Sequence, residues 1–244
     1  MKVLGIIPAR YSSSRFPGKP LIALNGKSMI QRVYEGAVKS SLIHKLIVAT
    51  DDKRIYDHVI NFGGEVMMTS TEHTTGTDRC GEVANKYPEY DVIINIQGDE
   101  PLVDYRQLEQ LIQLFENSHT QIGTLGIQLT DESDLSNENR IKIVLNRQNQ
   151  ALYFSRSAIP NAQKYKGNAF VEGLFLRHIG LYGFRRDVLM ELIHLDITPL
   201  ETIESLEQLR WLYYGYAINV ARTTIETPNI DMPEDIEKVL KHLS

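Results

Sequence analysis

Residues 7–21 read Ile-Pro-Ala-Arg-Tyr-Ser-Ser-Ser-Arg-Phe-Pro-Gly-Lys-Pro-Leu, carrying Arg10, Arg15 and Lys19, three serines and no acid. Such a segment can surround a polyphosphate. Arginine gives paired hydrogen bonds, lysine a point charge, and free backbone N–H groups add donors. Gly18 permits close approach of the backbone, and Pro17 and Pro20 stiffen the turn. The alternative is an ordinary surface loop. Charge distribution favours the anion site. Residues 1–34 hold six bases (Lys2, Arg10, Arg15, Lys19, Lys27, Arg32), while all 31 acids lie beyond them in a chain of net charge -5. A patch this confined suits a small phosphorylated ligand. Duplex nucleic acid needs a wider basic surface.

The second candidate is Gln97-Gly98-Asp99-Glu100-Pro101-Leu102. Asp99 follows a glycine, so its carboxylate can project from a strand end. A hard divalent ion bridging protein and phosphate needs one or two carboxylates so placed. Asp231, in Asn-Ile-Asp-Met-Pro-Glu-Asp (229–235), reads first as the cap of a final helix. Glu204, Glu207 and Gln208 recur at helical spacing beside a Leu206, Leu209, Leu212 stripe. They are acceptors for sugar hydroxyls or a solvated face. Arg156 and Arg177-His178 end apolar runs and are open to a structural reading. His178 lacks partners at metal-ligand spacing. Familiar nucleotide motifs fail. There is no G-x-G-x-x-G, and Gly26-Lys27-Ser28 has Leu21 where a P-loop requires glycine. There is no G-x-S-x-G elbow, and the lone Cys80 falls inside a predicted helix.

The elements that must position these groups alternate along the chain. Apolar runs at 3–7, 46–49, 65–69 and 92–96 predict buried strands. Helices are predicted from Ser28 to about 39, over 52–62, over 77–86 and from Asp104 to about 116. Ser28 with Gln31 and Asp104 with Gln107 form capping boxes, and Gly63 gives a left-handed stop. Strand, helix, strand, helix with continuous apolar strands predicts a three-layer, doubly wound, mostly parallel sheet. Further strands are predicted at 122–129, 141–146, 151–155, 177–184 and 217–224. They extend the sheet with an antiparallel edge and a protruding segment. Helices near 186–194, 200–215 and 233–243 complete a single α/β domain over residues 1–244. Ligands then bind at the carboxyl ends of the strands, in the loops 8–20 and 97–103.

With 42 % apolar and 23 % charged residues the chain is globular rather than disordered. One cysteine excludes an intrachain disulfide. No stretch suits a signal peptide or a membrane span, so a soluble cytoplasmic protein is expected.

Several segments together resemble the CMP-Kdo synthetase family, Kdo being 3-deoxy-manno-octulosonate. They are the 7–21 loop, Val-Ala-Thr-Asp-Asp (48–52), Gly-Thr-Asp-Arg (76–79), Gln-Gly-Asp-Glu-Pro-Leu (97–102), Ala-Leu-Tyr-Phe-Ser-Arg (151–156), Leu-Arg-His-Ile-Gly-Leu-Tyr (176–182) and Leu-Glu-Gln-Leu-Arg (206–210). The resemblance implies a nucleotide-diphospho-sugar transferase fold whose protruding segment binds sugar and dimerises. It implies CTP and Kdo as substrates, CMP-Kdo and pyrophosphate as products, Mg2+, a homodimer and lipopolysaccharide synthesis. No nucleic acid or membrane partner is implied. It puts Pro8, Ala9, Arg10, Arg15, Lys19, Thr77, Arg79 and Asp99 at the nucleotide, and Asp99 and Asp231 at the metal. Gln97, Arg156, His178, Tyr182, Glu207 and Gln208 fall at the sugar acid, with Arg156 as partner of its carboxylate. Lys19, Arg10, Asp99 and Asp231 would carry catalysis. Competing expectations are the same chemistry on 8-amino-Kdo or a sialic acid, a UTP or GTP enzyme, and a non-catalytic CTP-binding regulator.

Overall fold

Along the first strand successive side chains feed two different cores. Val3 and Ile7 join one apolar cluster, and Leu4 and Ile6 join the other. The next strands divide in the same way, with Leu46 and Val48 against Ile47 and Ala49, and Val92 and Ile94 against Ile93. A period of two with both faces apolar belongs to a strand covered on both sides. The structure, a computed structural model, describes residues 1–12, 16–228, 230 and 235–242. Arg15 and Asp231 therefore lie outside the described residues.

The first half of the chain runs β1 (Val3–Ala9), β2 (Ala23–Leu24), β3 (Lys27–Ser28), α1 (Met29–Ala37), β4 (Lys45–Thr50), α2 (Lys53–Asn61), β5 (Val66–Met68), α3 (Gly76–Lys86), β6 (Val92–Asn95) and α4 (Tyr105–Gln113). The second half runs β7 (Ile122–Gln128), α5 (Glu132–Ser136), β8 (Lys142–Leu145), β9 (Ala151–Ser155), β10 (Leu176–Arg185), α6 (Arg186–Leu192), α7 (Pro199–Glu204), α8 (Gln208–Tyr213), β11 (Ile218–Thr223) and α9 (Asp235–Lys241). The main sheet has the order β11-β7-β10-β6-β1-β4-β5, and a β8–β9 hairpin is attached to β10. β1 pairs in parallel with β4 on one side and β6 on the other, so the direction of winding reverses there.

Three expectations need correction. The antiparallel strand is not at an edge. β10 runs antiparallel between β6 and β7, in the interior of the sheet. Its first residue, Leu176, pairs with Gln128 at the carboxyl end of β7, so the chain enters from that rim and must run the opposite way. Second, the capping boxes at 28 and 104 are half-formed. Ser28 accepts from Gln31 N and Asp104 from Arg106 N, but the glutamine side chains go elsewhere. Gln31 reaches Glu35, and the fully buried Gln107 donates to Ile225 O. Third, the helix expected over 200–215 is broken. Ser205 has φ 52 and ends α7, and Leu206 turns into the core before α8 starts.

Candidate active site

Two clefts adjoin at the carboxyl ends of β1 and β6. The first, about 380 Å³, is lined by Pro8, Ala9, Arg10, Lys19 and Pro20 from the cation-bearing loop, by 73–76 and Arg79, and by Gln97, Gly98 and Asp99. Gly98 is required here, because a Cβ at this position would stand 2.8 Å from Pro8 O. The loop is pinned from inside. Gly18, at φ 73, donates to Tyr11 O at 2.9 Å and starts a single 3₁₀ turn over Lys19–Leu21. Arg54 stacks 3.3 Å over the Tyr11 ring while its fork grips Asp52. Lys19 is thereby held almost buried, and its Nζ lies 2.8 Å from Asp99 Oδ2. The Asp99 side chain is 37 % exposed, open to a further ligand. Arg79, on α3, is buried and fixed by Asp51 at 2.7 Å, Ser70 O and Thr69 Oγ1.

The second cleft, about 230 Å³, shares Gln97 and Asp99 with the first. Its other walls are Glu100, Asn139–Ile141, Arg177–Gly180 and Thr227. β10 shapes it through a bulge. Opposite the single step from Leu125 to Thr124, β10 advances from Ile179 to Tyr182. Gly180 and Leu181 are thus extra, which bends the strand. The bend brings the rings of His178 and Tyr182 to 5.1 Å and presents Gly180 O to Gln97 Nε2 at 3.1 Å.

His178 is partly buried in this bend. Thr124 Oγ1 donates to Leu181 O at 2.7 Å, so it accepts from His178 Nε2 at 2.9 Å. Burial, reinforced by neighbouring Arg177, pushes the imidazole down to about 3. The ring is therefore neutral, with its proton on Nε2 and an acceptor at Nδ1. Arg177 donates to both oxygens of Glu226, at 2.5 and 2.6 Å. Desolvation lowers its pKa, and Glu226 opposes that shift.

The remaining expected residues fall outside the two linings. Thr77 is buried and donates to Glu207 Oε2 at 2.8 Å, which joins α3 to the start of α8. Burial raises the Glu207 carboxyl, against the hydrogen bond from Thr77. Gln208 is buried beside it. The buried Tyr182 ring meets Trp211 edge-on at 5.0 Å, and its hydroxyl finds no partner among the described residues. Arg156 donates from Nε to Glu204 O at 2.7 Å, from Nη1 to Glu138 O at 3.1 Å and from Nη2 to Ser205 O at 3.3 Å. Its guanidinium ties the 137–141 loop to the broken helix. The break also separates the acids read as one face: Glu204 accepts from Ser155 and Arg156 N, while Glu207 turns to Thr77. Lys142, fully buried, donates to Asn137 O at 2.9 Å and to Arg156 O.

Sequence reading missed Arg140, Glu226 and the Arg54–Tyr11 stack. Nothing in the local pattern marks Arg140, which simply precedes a strand. Gly180 inside an apolar run is the available sign of the bulge.

The geometry is that of a doubly wound α/β protein with a cation-lined cleft at the winding switch. The sequence profile of the cytidylyltransferase family matches residues 4–225. The 3-deoxy-manno-octulosonate cytidylyltransferases of Fusobacterium nucleatum and Parabacteroides distasonis are 50 % and 51 % identical to this chain. The alignments cover 100 % of the chain and 97 % and 99 % of those proteins. A solved CMP:2-keto-3-deoxy-manno-octonic acid synthetase complexed with CTP superposes with a TM-score of 0.93. It is 40 % identical, with 100 % of this chain and 98 % of that one covered. The chain belongs to the 3-deoxy-manno-octulosonate cytidylyltransferase family and is a nucleotidyltransferase. Among the described residues no helix is long and apolar enough to cross a membrane.

Proposed function

We propose that this chain, acting as one nucleotidyltransferase domain, transfers CMP from CTP to 3-deoxy-manno-octulosonate and releases pyrophosphate. The carrying observation is that Gln97 and Asp99 line both clefts. A nucleotide in one and an acid sugar in the other meet at Asp99. The sugar 2-hydroxyl attacks the α-phosphorus in line: a new O–P bond forms as the hydroxyl proton passes to water, and the bond to the β-phosphate oxygen breaks to release pyrophosphate. Catalysis here is positioning and charge neutralisation. Lys19, with Arg10 and Arg15, offsets the charge of the departing pyrophosphate. Pro8 and Ala9 offer backbone to the base, with Thr77 and Arg79 ordering the segment beside it. Gln97 and the neutral His178 orient sugar hydroxyls, with Tyr182, Glu207 and Gln208 behind them.

Asp99 fits Mg2+, and Asp231 is its expected partner carboxylate. Asp99 supplies a hard oxygen at an open rim, and Ile230 N donates to Asp99 O at 3.2 Å, bringing the chain to within one residue of Asp231. Among the described residues no group of three or more metal-binding side chains assembles. An ion held by one or two carboxylates would complete its shell with phosphate and water, the usual habit of Mg2+. When bound, it lowers the pKa of the attacking hydroxyl and screens the phosphates.

The reading extends to a cytoplasmic enzyme of lipopolysaccharide synthesis that works as a homodimer. Leu152, Ile197, Ile203 and Tyr213 are 58–79 % exposed on β9 and the α7–α8 region, which pack together. An apolar surface of this kind suits a second copy. Pyrophosphate release from purified protein tests the function. Release is expected only with CTP, Kdo and Mg2+ together. CTP binding without release, or equal release with a sialic acid, contradicts it.

A further inference from the structure

The second cleft contains a cation that nothing above employs. Arg140 lines it beside Arg177, and the two differ in freedom. Arg177 is 7 % exposed and committed to both oxygens of Glu226. Arg140 is 31 % exposed, and its nearest acids are Asp134 at 3.6 Å and Glu226 at 3.9 Å, beyond hydrogen-bonding distance. Exposed pairs this loose are worth little, so exchanging them for another carboxylate costs little.

The loop beneath Arg140 is, by contrast, rigidly held. Asn137 O accepts from Arg140 N and Lys142 Nζ, Glu138 O from Arg156 Nη1, and Ile141 O from His178 N at 2.7 Å. A fixed base carrying a loosely engaged guanidinium is the arrangement expected of a ligand-capturing arginine, whose planar fork matches a carboxylate. Arg156 has its fork filled by three main-chain carbonyls and lines neither cleft.

We propose that Arg140 is the specificity-determining cation of the sugar site. It leaves Asp134 and Glu226 to grip the carboxylate of the acid sugar, while Arg177 retains Glu226. Arg156 and Lys142 act as positioning residues for its loop. This rests on the acid-sugar transferase reading above.

The test compares Kdo with its neutral C1 carboxamide, at saturating CTP, in wild type, Arg140→Lys and Arg140→Ala. Wild type should favour the acid by roughly 10- to 100-fold in kcat/KM, the value of a charge-assisted contact. Arg140→Ala should bring that preference within about threefold and leave the KM for CTP unchanged, and Arg140→Lys should restore part of it. An acid preference that persists in Arg140→Ala overturns the proposal. So does a rise in the KM for CTP equal to that for the sugar, which would mark a general disturbance of the fold. Wild-type protein idle with Kdo but active with another acid sugar overturns the choice of substrate alone. The same acid-to-amide comparison on that sugar then decides Arg140.

Discussion

The two clefts are built by different means. The first sits where parallel strands β1 and β6 end side by side, and its lining comes from short segments directly after strands and at the start of α3. The second depends on an antiparallel strand inserted between two parallel sets, on a two-residue bulge and on a hairpin loop clamped from afar. In the proposed reading the first holds phosphates and the second the sugar. The parts of the second hang on contacts between residues more than 40 positions apart, such as Arg177–Glu226 and Arg156–Glu204. The first cleft thus takes its lining from loops that leave neighbouring strand ends and is closed by the long-range Lys19–Asp99 pair, whereas the second has walls that are themselves shaped by tertiary packing.

The sharpest way to separate the clefts is Lys19→Ala. Loss of this nearly buried cation should cut turnover by tens-fold or more, since a charge-assisted contact is worth about 1.5–3 kcal/mol. The KM for the sugar should stay nearly constant. An unchanged turnover removes Lys19 from the phosphate role. Arg156→Ala acts on the other region. Loss of three hydrogen bonds to carbonyls should destabilise the fold by about 2–3 kcal/mol. The melting midpoint then falls by roughly 4–12 °C, read by calorimetry. CTP affinity should be retained. Weakened CTP binding with an intact midpoint would show that the regions are not separate.

A third effect concerns pH. The folded pKa of His178 lies near 3, below the 6.5 of the free side chain. Between those values the unfolded chain binds a proton that the folded chain refuses. Stability from this group is therefore full above about 6.5 and is lost as pH falls toward 3, with a slope of at most about 1.4 kcal/mol per pH unit. Urea midpoints of wild type and His178→Gln between pH 7 and pH 4 measure this. The variant should show the shallower decline, and parallel curves would contradict the assignment.

The parallel half of the fold was legible because its signals are local. The apolar runs at 3–7 and 46–49 and the Gly63 stop each act within a few residues. The half-formed boxes at Ser28 and Asp104 show the limit of such signals, since a distant acceptor such as Ile225 O outcompetes a helix end for Gln107. The break at Ser205 had no glycine to announce it. It places Leu206 in the core and sets Glu207 against Thr77, an advantage visible only in three dimensions. The interior position of β10 likewise follows from the rim at which its chain arrives. Of the site, the cations and Asp99 were readable from residue type beside strand ends. Arg140 was not, because its meaning comes from Glu226 and the clamped loop.

The central claim is that Asp99 at the shared rim holds a metal ion against the CTP phosphates that Lys19 grips. Calorimetric titration of CTP, without sugar so that no reaction follows, tests it in wild type and Asp99→Asn with and without Mg2+. Mg2+ should tighten CTP binding in wild type by tenfold or more and leave the affinity of Asp99→Asn nearly unchanged. An equal gain in both proteins would contradict the account.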